Sequence, residues 1–246
     1  MAHKHKKNME NTSTSIKKLT KNKTAKPRFL EEMKAVLEDP SVIEKIGPKK
    51  IIYDVYREID LVDNVFRYDL TYLHPIMLGK ELPKTFGHCH NELEIMEVIS
   101  GKILWLLQKH NDKNPKIIEE AYLIKAEKGE KAIFPSGFGA ISINPTKETT
   151  ILSNWININT QSNYNFSKEL HGSCYYVLDN QKIVKNENYE KVPELVELKP
   201  KELPEFGITF DKPLLEMKEN KKNLEFIKNT EKYKNILTID KCFTKL

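Results

Sequence analysis

Between residues 51 and 157 the chain carries eight short segments suited to strands and none suited to a helix. They read IIYDVY, VFRYDLTYL, LEIMEVI, KILWLLQ, AYLIKA, KAIFP, AISIN and TTILSNWI, rich in β-branched and aromatic residues and separated by turn residues. Such a run has few stable solutions: its sheets must close on one another as a sandwich or a barrel. The polar KHNDKNPK between Leu107 and Ile117 predicts a hairpin tip. CYYVLDNQKIV (174–184) predicts a closing hairpin around Asp179-Asn180-Gln181.

The flanks differ in texture. RFLEEMKAVL places Phe29, Leu30, Met33, Val36 and Leu37 at helical spacing, and Asp39-Pro40 breaks the pattern. Ser41 to Ile46 predicts a further short helical piece ending at Gly47-Pro48. Beyond 186 the chain is Lys/Glu-rich with scattered prolines, and a helical stretch is expected around Leu214–Tyr233. There Leu215, Met217, Leu224 and Ile227 are placed to pack on the barrel or on a second subunit. The organisation expected is a basic, disordered arm over 1–27, a helical lead-in over 28–47, a barrel over 48–185 and a charged extension over 186–246.

Net charge is +5, but residues 1–27 hold eight Lys and one Glu, or +7, so the remainder stands at −2. The basicity belongs to the arm, which lacks aromatics and reads as solvated; His3 and His5 lie within it. No basic stripe continues into the body, so nucleic-acid binding is not expected. There is no run of 18 apolar residues and no apolar leader after the first Met, so neither a membrane span nor a secretory signal is expected. Cys89, Cys174 and Cys242 are too few for a disulfide framework and point to a reducing, cytoplasmic setting.

The chemistry concentrates in Thr85-Phe86-Gly87-His88-Cys89-His90-Asn91-Glu92-Leu93-Glu94. Successive strand side chains alternate faces, so His88 and His90 point the same way and Cys89 the other. Two imidazoles on one face can share a metal ion, and a carboxylate from the next strand can complete three ligands. On LEIMEVI, Glu94, Met96 and Val98 share one face; Ile95, Glu97 and Ile99 take the other. Glu92 reads as a solvated turn residue. Glu97 replaces Glu94 as ligand only if a longer turn separates the strands.

Glu94, six residues and then Gly101 fit the first motif of the cupin barrels. Gly129, Pro135, Gly137 and Asn144 stand at the spacings of the second. Two positions depart: Leu82 replaces a leading glycine, and Ala140 stands where the second motif has a histidine. The expected fold is therefore mainly β: a cupin, or double-stranded β-helix (jelly-roll) barrel, with a short N-terminal helix and a helical C-terminal extension.

Further elements narrow the resemblance. Thr71-Tyr72-Leu73-His74-Pro75, Gly79-Lys80-Glu81, Thr85 to His90, Phe134-Pro135-Ser136-Gly137-Phe138-Gly139 and Ser153-Asn154-Trp155 occur in an order that resembles the archaeal-type (cupin) glucose-6-phosphate isomerases. The resemblance covers roughly residues 50–165. It implies that His88, His90 and Glu94 bind one divalent metal ion per chain (Fe, Mn, Ni or Zn), and that Glu94 also moves the proton. It further implies that Thr71, Thr85 and Gly87, joined by Tyr53, hold the substrate phosphate and that Tyr164 lines the sugar pocket. The fourth ligand position is Ala140, and a pocket histidine is replaced around Gln161-Ser162. His74 is the other histidine near the site.

The expected function is metal-assisted interconversion of glucose 6-phosphate and fructose 6-phosphate, with a small sugar phosphate as partner and a homodimer formed through a barrel edge. A carboxylate beside the sugar serves as base, and hydroxyls and a backbone N–H can receive a phosphate. The alternative is a degenerate cupin that binds a sugar phosphate or small anion without turnover. A third reading is a two-His, one-carboxylate oxygenase.

Overall fold

The computed structural model describes residues 18–246 except Gln181. Most of the basic arm, with His3 and His5, lies outside the described residues. All eight predicted strand segments form strands. In chain order the strands are β1 (Lys26–Phe29), β2 (Ile51–Val62), β3 (Phe66–Leu73), β4 (His88–Cys89), β5 (Glu94–Ser100), β6 (Lys102–His110) and β7 (Ile118–Glu127). Then come β8 (Lys131–Phe134), β9 (Gly139–Ile143), β10 (Thr150–Asn157), β11 (Tyr175–Val177), β12 (Ile183–Lys185), β13 (Val196–Pro200) and β14 (Phe243–Lys245).

Two six-stranded sheets face each other, ordered β1-β2-β3-β10-β5-β8 and β14-β13-β7-β6-β9-β4. From β4 to β10 the chain crosses repeatedly between them, which winds the strands into the expected cupin barrel. Pairings are antiparallel except β13 on β7. The predicted closing hairpin forms as β11 and β12. No helix among the described residues is long and apolar enough to cross a membrane.

The lead-in differs from its helical pattern. Arg28 and Phe29 are extended in β1, paired with Tyr53 and Ile51, and only Leu30–Val36 coils, as a 3-10 helix. An open edge on β2 offers ladder hydrogen bonds that outweigh weak local helical preference. Val42–Ile46 forms the short helix expected.

The C-terminal extension wraps the barrel. Its helical stretch is broken into short turns, with 3-10 segments at Leu214–Glu219 and Lys221–Leu224 and helices at Glu225–Lys228 and Thr230–Tyr233. Met217, Leu224 and Ile227 are buried within the chain, while Leu215 is partly covered. They pack on the outer face of the first sheet, where Trp155 Nε1 donates to the Leu214 carbonyl at 3.0 Å and its ring lies tilted against Tyr68, their centres 5.0 Å apart. Burying a large apolar side chain contributes about 2–3 kcal/mol, so Trp155, Leu214, Phe226 and Ile227 make this cover part of the core. The inner face is left for the pocket.

Candidate metal centre and pocket

Alternation along β5 separates its two glutamates. Glu97 faces outward, where Lys131 lies 3.2 Å from it, Ser153 donates at 3.2 Å and the Leu214 N–H at 3.0 Å. Glu94 faces inward. The ligand atoms of His88, His90 and Glu94 all lie within 4.8 Å of one another. Two ligands of one ion stand roughly 3–4 Å apart, so a modest adjustment closes the set on a cation.

The supporting contacts orient each donor. The His90 Nδ1–H donates to the Glu92 carbonyl at 2.8 Å, which turns Nε2 toward Glu94 Oε2, 3.0 Å away. Asn154 Nδ2 donates to Glu94 Oε1 at 2.8 Å, leaving Oε2 for the cluster. Outer partners of this type fix the tautomer and rotamer of metal ligands. Burial drives His88 down to about 4, so at neutral pH it keeps a free lone pair. Burial opposes ionisation of Glu94 and His90 as well, but their hydrogen bond and mutual charge prevail, lowering the carboxyl and raising the imidazole. The donor set fits a divalent cation.

Other candidates separate cleanly. Cys89 points away, and burial pushes its thiol up to about 11. His74 is held by Asp54 at 2.8 Å and Thr149 at 3.3 Å, outside the cluster. Ala140 pairs directly with His88 across β4 and β9 and lines the same cavity.

That cavity, of about 130 Å³, lies between the sheets. Tyr53, Thr71, Thr85, Gly87, His88, Glu94 and Tyr164 all line it. The Tyr53 hydroxyl accepts from Arg28 Nε at 3.2 Å and the Phe86 N–H at 3.4 Å. Thr85 Oγ1 accepts from the Ser142 N–H at 3.0 Å. Gly87 has φ 83°, and a Cβ there would meet Ile141 Cγ2 at 2.2 Å, so only glycine fits this turn. The Tyr164 ring lies 5.5 Å from His88 and 5.6 Å from Phe86 and borders an outer vestibule of about 970 Å³. Ser162 lines both spaces and Gln161 the vestibule alone.

Comparison with protein families gives a match to the model described as Glucose-6-phosphate isomerase (GPI), over residues 28–194. The chain belongs to this family. The matched span contains His88, His90 and Glu94 and every residue that lines the cavity. A search of curated proteins found no match. Among solved structures, a variant of Bacillus subtilis oxalate decarboxylase is 14% identical at a TM-score of 0.32, covering 42% of this chain and 24% of that one. The plu4264 protein of Photorhabdus luminescens is 20% identical at 0.31, covering 42% and 73%. An oxalate oxidase in complex with the substrate analogue glycolate is 16% identical at 0.30, covering 49% and 45%. The chain thus spans about a quarter of the first of these, and scores this low add nothing to the fold assignment, which stands on the strand order and the family match.

Within this glucose-6-phosphate isomerase family member, the cavity residues that sequence reasoning missed include Arg28, Arg57, Arg67, Asp69 and Asn154. Asn154 had a usable signal, since it alternates in phase with Leu152 and Ile156 on β10 and so faces the interior. Arg28 reaches the cavity through β1, its guanidinium carbon 5.7 Å from the Phe86 ring centre. Arg67 and Asp69 had the same kind of signal, alternating in phase with Thr71 on β3, whereas Arg57 depends on an irregularity of β2 that no local pattern announces.

Proposed function

We propose that the chain is a divalent-metal-dependent aldose–ketose isomerase interconverting glucose 6-phosphate and fructose 6-phosphate. The observation that carries this reading is that the cavity lined by His88 and Glu94 of the His88–His90–Glu94 donor set also holds a separate group of phosphate-compatible donors. At the phosphate end, Thr71 and Thr85 offer hydroxyls, Gly87 lets backbone approach closely, and Tyr53 and Arg28 add a phenol and a positive charge. Tyr164 covers the sugar.

Isomerisation moves a proton between C1 and C2 through an enediol, and Glu94 is the group placed to carry it. Its Oε1 is held by Asn154 and its Oε2 lies 3.0 Å from His90 Nε2, which together orient the carboxylate. Its carboxyl lies below the usual range, so it is ionised at neutral pH as a base must be. A divalent ion held by His88, His90 and Glu94 would polarise O1 and O2 of the sugar.

Ala140 favours a second reading, a pocket that binds sugar phosphates without turnover, because it removes a donor beside His88. A coupled assay with fructose 6-phosphate and added Fe²⁺, Mn²⁺, Ni²⁺ or Zn²⁺ separates the two. Turnover that disappears in Glu94→Gln supports the isomerase. Thermal stabilisation by sugar phosphates with no turnover under any of these ions supports the binding module instead.

A further inference from the structure

An irregularity in β2 brings Arg57, and regular alternation along β3 brings Arg67, to the side of the metal cluster. Residues 57 to 59 of β2 stand opposite the single residue Asp69, between the pairs Tyr56–Leu70 and Asp60–Tyr68. Such bulges re-aim side chains. Glu58 is held at φ 56°, a left-handed conformation that penalises a non-glycine residue by about 1 kcal/mol or more. Its N–H donates to Asp69 Oδ1 at 2.8 Å. The other oxygen, Oδ2, accepts from Arg67 Nε at 2.9 Å and Arg57 Nη1 at 3.3 Å. The Asp69 side chain is 4% exposed and that of Arg67 14%. A buried ion pair of this kind rarely stabilises a fold more than apolar residues would, and here it also requires backbone strain. Stability alone does not account for it.

The free parts of both guanidiniums face the cavity. Each arginine donates a single N–H to Asp69, and no other partner among the described residues takes the rest. Arg67 pairs with Ile156, one residue past Trp155, which pairs with Ile95; Arg67 and Glu94 therefore share one row of the cavity wall. Two guanidiniums meet one Asp69 carboxylate, so this group carries an excess of one positive charge. At the phosphate end, Tyr53 lies four residues from Arg57 along β2, about 13 Å of strand, with Arg28 paired to it from β1. The cavity has a cationic group at each end.

We propose that Arg57 and Arg67, aligned by Asp69, form a second anion-binding element, and that the pocket prefers ligands with an anionic group on C1 opposite the C6 phosphate. The planar guanidinium fork suits a carboxylate or a phosphate equally, so the shared chemistry is a C1 oxyanion. This inference depends on the sugar-phosphate reading for its phosphate end.

Calorimetric titration of the full-length chain tests it with three probes: sorbitol 6-phosphate, neutral at C1; 6-phosphogluconate, with a carboxylate there; and fructose 1,6-bisphosphate, with a phosphate. At least one of the charged probes is expected to bind about tenfold or more tighter than sorbitol 6-phosphate, and which one does so tells carboxylate from phosphate. Arg67→Met and Arg57→Gln should each remove most of that preference while leaving sorbitol 6-phosphate affinity within about twofold. A cation at His88, His90 and Glu94 attracts the acid in wild type and variant alike, so the difference between them reports the arginines. The Arg57 side chain is 40% exposed, so Arg57→Gln is the safer variant should Arg67→Met not fold. Equal binding of all three probes, or a preference that survives both substitutions, overturns the second anion site alone. Binding of none of them overturns the sugar-phosphate reading and this inference together.

Discussion

Ala140 stands directly opposite His88 across the β4–β9 ladder. Directly paired residues project to the same face, so the position where the second cupin motif has a histidine lies beside the cluster and holds only a methyl group. Ala140→His would add an imidazole there without moving the backbone. Cation affinity is expected to rise by about tenfold or more, the scale on which even outer partners of a metal ligand act. Competition against a fluorescent chelator measures this, and an unchanged affinity would show that residue 140 does not reach the cluster.

Asn154 is the only described side chain besides His90 that hydrogen-bonds Glu94, and it does so at 2.8 Å. Asn154→Ala leaves a buried carboxylate oxygen unpaired, at about 1–3 kcal/mol of stability. Cation affinity should fall by about 10- to 100-fold because the carboxylate loses its orientation. Urea denaturation and cation titration on the same sample check both effects. Loss of stability with full cation affinity would contradict the orienting role.

Glu97 and Lys131 form an ion pair on the outer face, their side chains 7% and 2% exposed. Glu97→Ala strands a buried ammonium and is expected to destabilise the fold by about 3–5 kcal/mol, with cation binding per folded chain unaltered. Replacing both residues by Met should recover most of the loss. A drop in cation stoichiometry in the folded Glu97→Ala chain would mean that the two glutamates have been assigned to the wrong faces.

His110 provides a pH dependence remote from the donor set. Burial lowers its imidazole below 6.5, while its Nδ1–H donates to the Pro115 carbonyl at 2.8 Å and Gln108 lies 2.9 Å from Nε2. Below 6.5 the unfolded chain takes up the proton more readily than the folded one. The stability from the neutral ring is thus complete above 6.5 and is lost as pH falls through the lowered folded value. Denaturant midpoints at pH 7.5 and pH 5 should therefore converge in His110→Gln relative to wild type. An equal acid-induced drop in both proteins would exclude His110 as the source.

The strand segments and the donor set were legible because they are local. Period-two alternation around His88, His90 and Glu94 depends on neighbours within a few residues, and the spacing to Gly101 selected Glu94 over Glu97. What escaped detection depends on distant pairing. Arg28 sits in a helical pattern, yet β2 recruits it as an edge strand through Tyr53. Arg57 reads as an ordinary charged strand position until the bulge at Glu58 brings it to Asp69, which Arg67 already neighbours on the same face of β3. The charged composition of 186–246 concealed a cover whose apolar residues are spread over short turns, too brief to show a helical period.

Cation stoichiometry tests the central claim most directly. Titration of the chelated, dialysed chain with Mn²⁺ should saturate at one ion per chain, and His88→Ala, His90→Ala and Glu94→Gln should each abolish that binding. Saturation that persists unchanged in all three variants, or the absence of any saturable site in the wild type, would contradict it.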